Sequence, residues 1–210
     1  IIVVSDGSTD ATNEIIETYK GKIQNLSSVY LPANHGKGYA VKCGVEMSRG
    51  KYILFTDADN STPIEELEKL SSALKNQQAQ IAIGSRYLHG SKVQIKQPSL
   101  RIIIGRIGNF LISLFLLDGI KDTQCGFKLF EHKAAREIFS MQKVKRFGFD
   151  MENLVIANLL GYKIVEVPVS WFNSAGSRVR PIKDTLITLK DLVYIKLNLW
   201  SGRYFPERDA

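Results

Sequence analysis

Cysteine is scarce in this sequence of 210 residues: only Cys43 and Cys125 occur, and they do not form a CxxC pair. This spacing indicates neither a zinc site nor a disulfide framework. Two reduced thiols in a protein that faces the cytosol are therefore the expected state. A signal peptide and an initiator methionine are also lacking. The sequence opens directly on the apolar run 1–4, which is typical of the middle of a fold, so we expect an N-terminal truncation.

Acidic residues are fewer than basic ones, 21 against 28, which gives a formal net charge of +7. A basic balance suits nucleic acid, a phosphorylated substrate or an acidic membrane, although merely solvated surfaces also show it. No nucleic-acid-binding motif and no platform of aromatic and basic residues occurs, so we expect no nucleic-acid partner. With 44% hydrophobic and 23% charged residues, the composition is that of one globular domain over residues 1–210.

Apolar runs typical of strands alternate with helix-like segments, which predicts an α/β fold with a mostly parallel sheet and crossover helices. The predicted strands lie at 1–5, 28–31, 52–56, 81–84, about 127–130 and 164–171. The predicted helices lie at about 10–20, from the turn 34–38 to about 48, from 63 to about 74, and at about 134–140, 149–160 and 183–200. Thr62, Pro63 and Glu65 have the residue types of a capping box at the third helix.

Two aspartates, Asp57 and Asp59, follow the apolar run 52–56 directly. In an open α/β sheet, ligands bind beyond the carboxyl ends of the strands. Alternation along an extended chain would aim both carboxylates to the same side. Two hard oxygen ligands suit Mg²⁺ or Mn²⁺, and such a metal can bridge a diphosphate. The alternative is an ordinary turn after a strand, where aspartate is common.

Two glycine-containing turns are further candidates for ligand binding. In the first, residues 6–10 (DGSTD), Asp6 can accept a hydrogen bond from a base or a ribose; the alternative is a plain turn with a helix cap. The second turn, 34–38 (NHGKG), offers backbone N–H groups, Lys37 and a helix N-terminus. These are the elements of a diphosphate cradle, although the spacing is not that of a Walker A loop.

The order of these motifs is more specific than any one of them. DGSTD after a strand, GKGxA at a helix start, DAD after a buried strand and GSR after the next strand resemble the inverting family-two glycosyltransferases of GT-A fold. Later stretches, at 119–130 (GIKDTQCGFKLF), 146–152 (RFGFDME), 167–171 and 176–178, are similar to dolichyl-phosphate β-glucosyltransferases and their prokaryotic polyprenyl-phosphate relatives. The resemblance extends to about Tyr204.

Two departures from the family pattern put nucleotide affinity and activity in question. Ser5 stands where the family usually has the first of two aspartates. Members of the family also carry one more strand upstream, which helps to hold the nucleotide and which this chain lacks.

The resemblance implies transfer of a hexose, glucose from UDP-glucose, to a dolichyl or polyprenyl phosphate with Mg²⁺ or Mn²⁺ as cofactor. The site residues that it implies are Asp6 at the nucleoside; Gly36, Lys37 and Gly38 near the nucleotide; Asp57 and Asp59 at the metal and diphosphate; Arg86 and Lys128 at phosphate oxygens; and Asp59, Asp150 and Glu152 as catalytic residues. For Arg86 and Lys128 the alternative is a surface salt bridge. For Asp150 and Glu152 it is a pair of acids that stabilise a helix N-terminus.

Other functions stay open at this point. The first is a mannosyltransferase-like enzyme that uses GDP-mannose, and the second is a nucleotide-sugar-binding module without catalysis. A phosphatase of the haloacid-dehalogenase type is a third, since residues 57–61 (DADNS) narrowly miss its DxDx[T/V] motif. For the transferase, a phosphate-monoester acceptor has a second pKa of about 6 and is already largely dianionic at neutral pH. The reaction then needs positioning and leaving-group stabilisation rather than a strong general base.

The segment 102–117 is apolar but shorter than the roughly 20 residues that span a bilayer. Arg106, Asn109 and Ser113 form a polar stripe on it, as expected of a helix in the membrane interface. A buried core helix is the alternative.

The segment 183–200 repeats this pattern. Leu186, Leu189 and Val193 form an apolar face beside basic residues, and Trp200 and Tyr204 suit an interfacial aromatic belt. We therefore expect a membrane-associated protein whose active site faces the cytoplasm, at the endoplasmic reticulum in a eukaryote or the plasma membrane in a prokaryote. The oligomeric state is not predicted.

Overall fold

Helices and strands alternate through the computed structural model, which describes residues 1–94, 108, 112, 115–172 and 181–205. The strands are β1 (Ile2–Asp6), β2 (Ser27–Leu31), β3 (Tyr52–Thr56), β4 (Ile81–Ser85), β5 (Lys92–Gln94), β6 (Phe127–Glu131), β7 (Ile164–Pro168) and β8 (Ser170–Phe172). The α-helices are α1 (Thr12–Lys20), α2 (Lys37–Met47), α3 (Leu67–Gln77), α4 (His132–Met141), α5 (Phe149–Leu159) and α6 (Pro181–Trp200). The predicted α/β alternation is confirmed.

The largest sheet has four strands in the order β3–β6–β4–β7. Strand β4 runs parallel to β7, but β6 is antiparallel to both β3 and β4. Two further parallel pairs, β1–β2 and β5–β8, form separate ladders. The sheet is therefore more mixed than predicted, because β6 inserts between β3 and β4 in the opposite direction. This insertion puts the start of β6 beside the carboxyl end of β3.

The predicted capping box at the third helix is wrong. The chain first forms a 3₁₀ turn at Ile64–Glu66, and α3 begins only at Leu67. Neither element has a side-chain cap hydrogen bond. The helical spacing of the apolar residues is confirmed, since Leu70 and Leu74 are buried on the inner face of α3.

The main hydrophobic core lies between the four-stranded sheet and helices α4 and α5, and a smaller one lies under α3. Helix α5 is buried from Phe149 to Ala157. Of the segment 102–117, only residues 108, 112 and 115–117 are among those described, and the rest of that prediction falls outside them. Ile112 and Leu117 belong to the main core, which favours the core alternative for this end of the segment.

Helix α6 spans residues 181–200, close to the predicted 183–200. Its buried face carries Leu192 and Ile195 into the main core. The assignment of Tyr204 to an interfacial belt is wrong, because its side chain is only 2% exposed within the core. No helix in the described residues combines the length and the apolar character needed to cross a bilayer.

Replacing Leu117 by Ala should lower the free energy of unfolding by about 2–5 kcal/mol, because it leaves a cavity in the main core. Phe115, two residues earlier and 51% exposed, provides the matched control, since surface substitutions usually change stability by less than about 0.5 kcal/mol. Urea denaturation of both variants measures the difference. Equal stabilities would place Leu117 outside the core.

Candidate active site

Five charged side chains meet where β3 ends, and we call them the charged cluster: Lys37, Asp57, Asp59, Lys128 and Asp150. Lys37 Nζ lies 2.7 Å from Asp57 Oδ1, and it stands over the rings of Phe55 and Phe149 at 5.3 and 6.0 Å. Burial lowers the pKa of Lys37, but the carboxylates of Asp150, Asp57 and Asp59 outweigh burial and raise it above the ordinary value. Lys37 is therefore a fixed cation among three predicted site aspartates.

The second ion pair of the cluster, Lys128 with Asp150, is almost fully buried. Lys128 is the second residue of β6 and lies opposite Phe55 of β3 and Ile83 of β4. Its ammonium donates to the Asp150 carboxylate and, at 2.6 Å, to the Cys125 carbonyl. Burial raises the pKa of Asp150, and the charges of Lys128 and Lys37 oppose that rise. The sequence predicted both residues at the site but not that they pair.

Gly126 provides the space that the Asp57 carboxylate occupies. The Asp57 amide donates to the Gly126 carbonyl at 3.0 Å, which extends the β3–β6 ladder by one residue. A Cβ added to Gly126 would overlap the Asp57 carboxylate. Any larger residue at this position would push Asp57 away from Lys37. Sequence analysis did not assign Gly126 a role, and its position beside Asp57 becomes evident only once β6 is known to be antiparallel to β3.

Asp59 lies in a tight turn beside Asp57. One of its oxygens accepts the Ser61 amide at 2.9 Å, and Asn60 between them has a φ of 54°. Among the described residues, no three His, Cys, Asp or Glu side chains come together in a way that could hold a metal. Two carboxylates nevertheless fit Mg²⁺ or Mn²⁺ when phosphate oxygens and water complete the shell, which is how Mg²⁺ is usually bound. The metal assignment of Asp57 and Asp59 stays a prediction.

Asp6 binds the turn 34–38 instead of standing free. Its two carboxylate oxygens accept the amides of His35 and Gly36, each at 2.7 Å. Gly36, with a φ of 105°, and Gly38 permit close packing, since a Cβ there would lie 2.6 Å from the Lys145 carbonyl and from Phe149 Cβ respectively. Two amides of the predicted diphosphate cradle are thus already used. The nucleotide-binding roles of Asp6, Gly36 and Gly38 remain predictions.

Arg86 makes a bidentate pair with Asp122. Nε and Nη2 donate to the two carboxylate oxygens at 2.7 and 2.9 Å, and the Arg86 amide donates at 2.9 Å. The guanidinium also lies 5.4 Å from the rings of Tyr87 and Trp171. Burial raises the pKa of Asp122, but Arg86 outweighs burial and holds it below the usual range. Two side-chain donors of Arg86 are thus engaged by Asp122. The phosphate-binding role of Arg86 stays a prediction.

Asp122 was missed as a site residue, although it stands inside the stretch 119–130 that carries the resemblance. Arg86 was expected at phosphate oxygens or in a surface salt bridge, and the burial of its carboxylate partner becomes evident only in the structure. The carboxylate of Glu166 in turn accepts the amides of Lys121 and Asp122, each at 2.9 Å. Cys125, three residues on, is a free thiol whose pKa burial raises to about 12, as expected for an unreactive cysteine.

Glu152 does not join the charged cluster. It is fully buried, and its carboxylate accepts the Val144 amide at 2.7 Å, the Lys143 amide at 3.0 Å and the Tyr204 hydroxyl at 2.7 Å. Residues two apart on a helix face different sides, so Asp150 and Glu152 diverge. These contacts favour a structural role for Glu152, and its catalytic assignment remains an untested prediction.

Residues 1–139 match Glycosyl transferase family 2. The chain belongs to this family. It is 41% identical over 210 residues to a dolichyl-phosphate beta-glucosyltransferase of Trichomonas vaginalis, covering 96% of this chain and 62% of that protein. The human dolichyl-phosphate beta-glucosyltransferase is 38% identical over 216 residues, covering 99% of this chain and 66% of that protein. The chain thus spans slightly less than two thirds of the length of these relatives.

Solved structures support the fold. Glucosyl-3-phosphoglycerate synthase of Mycobacterium tuberculosis, in complex with Mn²⁺, UDP-glucose and phosphoglyceric acid, matches with a TM-score of 0.64 and 18% identity, over 99% of this chain and 69% of that chain. TarS of S. aureus, in complex with UDP-GlcNAc, matches with a TM-score of 0.57 and 17% identity, over 94% of this chain and 57% of that chain. The predicted GT-A fold is confirmed.

Replacing Lys128 by Met should destabilise the protein by about 3–5 kcal/mol at pH 8, because it leaves the Asp150 carboxylate buried without its partner. Without Lys128, the pKa of Asp150 should rise further above its unfolded value of about 3.9. A raised carboxyl pKa in the folded state costs stability above the unfolded pKa, and the cost grows until the pH passes the folded pKa. The variant should therefore lose stability as the pH rises from about 4.

The double variant Lys128→Met with Asp150→Asn is the control for this titration. Urea denaturation between pH 4 and pH 8 should show a gap between the single and double variants that widens with pH. Parallel stability curves would mean that Asp150 is not the titrating group.

Proposed function

We propose that this chain transfers a glucosyl group from UDP-glucose to dolichyl phosphate with inversion, with Mg²⁺ or Mn²⁺ bound at Asp57 and Asp59. The observation that carries the proposal is the charged cluster, in which two lysine–aspartate pairs and Asp59 meet beyond the end of β3. The names of the relatives support the acceptor and the sugar. The Mn²⁺ and UDP-glucose bound by the Mycobacterium tuberculosis synthase support the donor and the metal.

The reaction forms one bond and breaks one. An oxygen of the acceptor phosphate attacks the anomeric carbon of glucose, and the bond from that carbon to the diphosphate breaks, so that UDP leaves with the bonding electrons. The phosphate is largely dianionic at neutral pH, so no residue has to remove a proton. A bound divalent metal would neutralise charge on the leaving diphosphate.

The residues of this chain would then position the substrates and balance their charge. Lys37, held between aspartates, lies where it can pair with a diphosphate oxygen once Asp57 turns to the metal. The Asp150 carboxylate, oriented by Lys128, would accept hydrogen bonds from sugar hydroxyls and favour positive charge developing at the anomeric carbon. Since the Lys128–Asp150 pair exists before substrate arrives, the Asp150 carboxylate needs little reorientation during the reaction.

A donor panel tests this function. The protein should transfer glucose from UDP-glucose to dolichyl phosphate in detergent, in the presence of Mg²⁺ or Mn²⁺. Replacing Asp59 by Asn should lower the rate at least about 100-fold, because removing a charged metal ligand costs several kcal/mol and each 1.4 kcal/mol is tenfold. Asp118→Asn, which changes an exposed aspartate outside the cluster, is the matched control and should retain the parental rate.

Other results would redirect the assignment. Preference for GDP-mannose would identify a mannosyltransferase. Binding of UDP-glucose without transfer to any acceptor would indicate a binding module. A parental rate in the Asp59→Asn variant at saturating metal would remove Asp59 from the site.

We further propose that the chain works at a membrane surface, through an apolar stripe on α6. The stripe consists of Leu186, Leu189, Val193, Leu197 and Trp200. All five side chains are exposed, Trp200 by 87%. Their spacings of 3, 4, 4 and 3 put them on one side of the helix, opposite the buried Ile195. The exposed Lys190 and Lys196 lie on the two sides of the stripe.

An apolar stripe bordered by lysines suits a bilayer that contains anionic lipid. Such a helix lies parallel to the bilayer surface, with its apolar side in the interface. A dolichyl-phosphate acceptor has its phosphate near the headgroups and its chain in the hydrocarbon, so this placement also brings the acceptor to the enzyme. The named relatives are eukaryotic, so we propose the cytoplasmic face of the endoplasmic reticulum as the location.

Replacing Leu189, Val193 and Leu197 together by Ser should weaken binding to anionic vesicles at least about tenfold, since each buried aliphatic side chain contributes about 1.5–3 kcal/mol. The control replaces Ile15, Tyr19 and Ile23, which are exposed near α1, by Ser. Co-sedimentation with vesicles measures binding, and urea denaturation checks that both variants fold. Unchanged binding of the α6 variant would locate the membrane contact elsewhere.

A further inference from the structure

Residues 142–148, which we call the connecting segment, lie between helix α2, which begins at Lys37, and helix α5, which carries Asp150. It contacts the start of α2: Gln142 Nε2 donates to the Gly38 carbonyl at 2.9 Å, and the Tyr39 amide donates to the Lys145 carbonyl at 3.0 Å. It then leads directly into α5, which begins at Phe149. Its position therefore determines where both Lys37 and Asp150 stand.

The C-terminal region holds the connecting segment at two points. The carboxylate of Asp191, on α6, lies against Gly148 so closely that a Cβ on Gly148 would overlap it. Burial raises the pKa of Asp191, and its side chain is held against the backbone at Gly148 by close packing. The Tyr204 hydroxyl donates to Glu152, which in turn accepts the Val144 and Lys143 amides. Asp191 and Tyr204 thus reach the segment from one helix and the turn that follows it.

The same helix carries the apolar stripe on its opposite face. Asp191 lies on the inner side with Leu192 and Ile195, while Leu189, Val193 and Leu197 point outward. A membrane that binds α6 while the helix is packed against the protein core stabilises that packed position by mass action. The stabilisation reaches the connecting segment through Asp191 and Tyr204.

We propose that Asp191 and Tyr204 are positioning residues, through which docking of α6 on a membrane orders the connecting segment and so places Lys37 and Asp150 for transfer. This inference rests on the proposed function, for the docking of α6 on a membrane as well as for the effect on rate; co-sedimentation of the parent with vesicles tests the docking separately. A role confined to fold stability would lower the melting temperature without making the segment respond to vesicles.

Hydrogen exchange of the full chain, with and without anionic vesicles, tests the ordering of the connecting segment. In the parent, vesicles should slow exchange of the amides of Lys143, Val144 and Gly148 at least about fivefold. In Tyr204→Phe, which keeps the ring and removes one hydrogen bond, vesicle binding should be unchanged, but this slowing should be lost.

The matched control is Tyr162→Phe. The Tyr162 hydroxyl donates to Glu137 at 2.5 Å, so this variant removes the same kind of hydrogen bond outside the connecting segment. It should keep the vesicle response in full. Asp191→Ala should behave as Tyr204→Phe does, since it removes the side-chain atoms that lie against Gly148.

Activity gives the second readout. Vesicles should stimulate transfer to a water-soluble short-chain acceptor in the parent and in Tyr162→Phe. In Tyr204→Phe this stimulation should be about tenfold smaller, because the variant loses one hydrogen bond to a charged group. Segment exchange that ignores vesicles, or that responds equally in Tyr204→Phe, would overturn the inference. Normal exchange behaviour without transfer from any nucleotide sugar would overturn the proposed function instead.

Discussion

A buried ion pair between Lys128 and Asp150 is the constraint around which the site is built. Taking two charges out of water is costly, and a pair of this kind persists only where geometry and further hydrogen bonds compensate. Here the Cys125 carbonyl accepts a second bond from Lys128, and Lys37 adds a second positive charge that acts on Asp150. Compared with apolar residues of similar volume, such a pair contributes little to stability, so its use is a fixed charge in place before any ligand arrives.

Glycines let neighbouring backbone segments come close enough for the side chains of the charged cluster to meet. Gly126 leaves room for the Asp57 carboxylate, and Gly38 lets α2 approach Phe149 at the start of α5. Without these contacts, Lys37 would not lie among three aspartates. On the proposed function, Asp57 would hold the metal and Lys37 would pair with a phosphate oxygen of the donor, so that both charges would stay paired in the complex.

The sequence predicted most of the elements and all five members of the charged cluster, because strand ends and motif order are local properties. It did not predict the pairs. Lys128 meets Asp150, and Gly126 meets Asp57, only because β6 runs antiparallel to β3. The direction of a strand cannot be predicted from a run such as FKLF. Asp150 and Glu152 looked equivalent in the sequence, yet residues two apart on a helix face different sides, so that Asp150 meets Lys128 and Glu152 meets Tyr204.

Helix α6 shows why a periodic pattern alone does not reveal what a helix contacts. Leu189 and Val193 recur at helical spacing, as core residues do, yet they are exposed, while Ile195 on the other side is buried. A helix that is apolar on two faces needs two apolar partners. The protein core is one of them, and a bilayer fits the other, because lysines border the outer stripe. Tyr204, the aromatic residue that seemed suited to the membrane, reaches inward to Glu152, so the region that would touch lipid also touches helix α5, which carries Asp150.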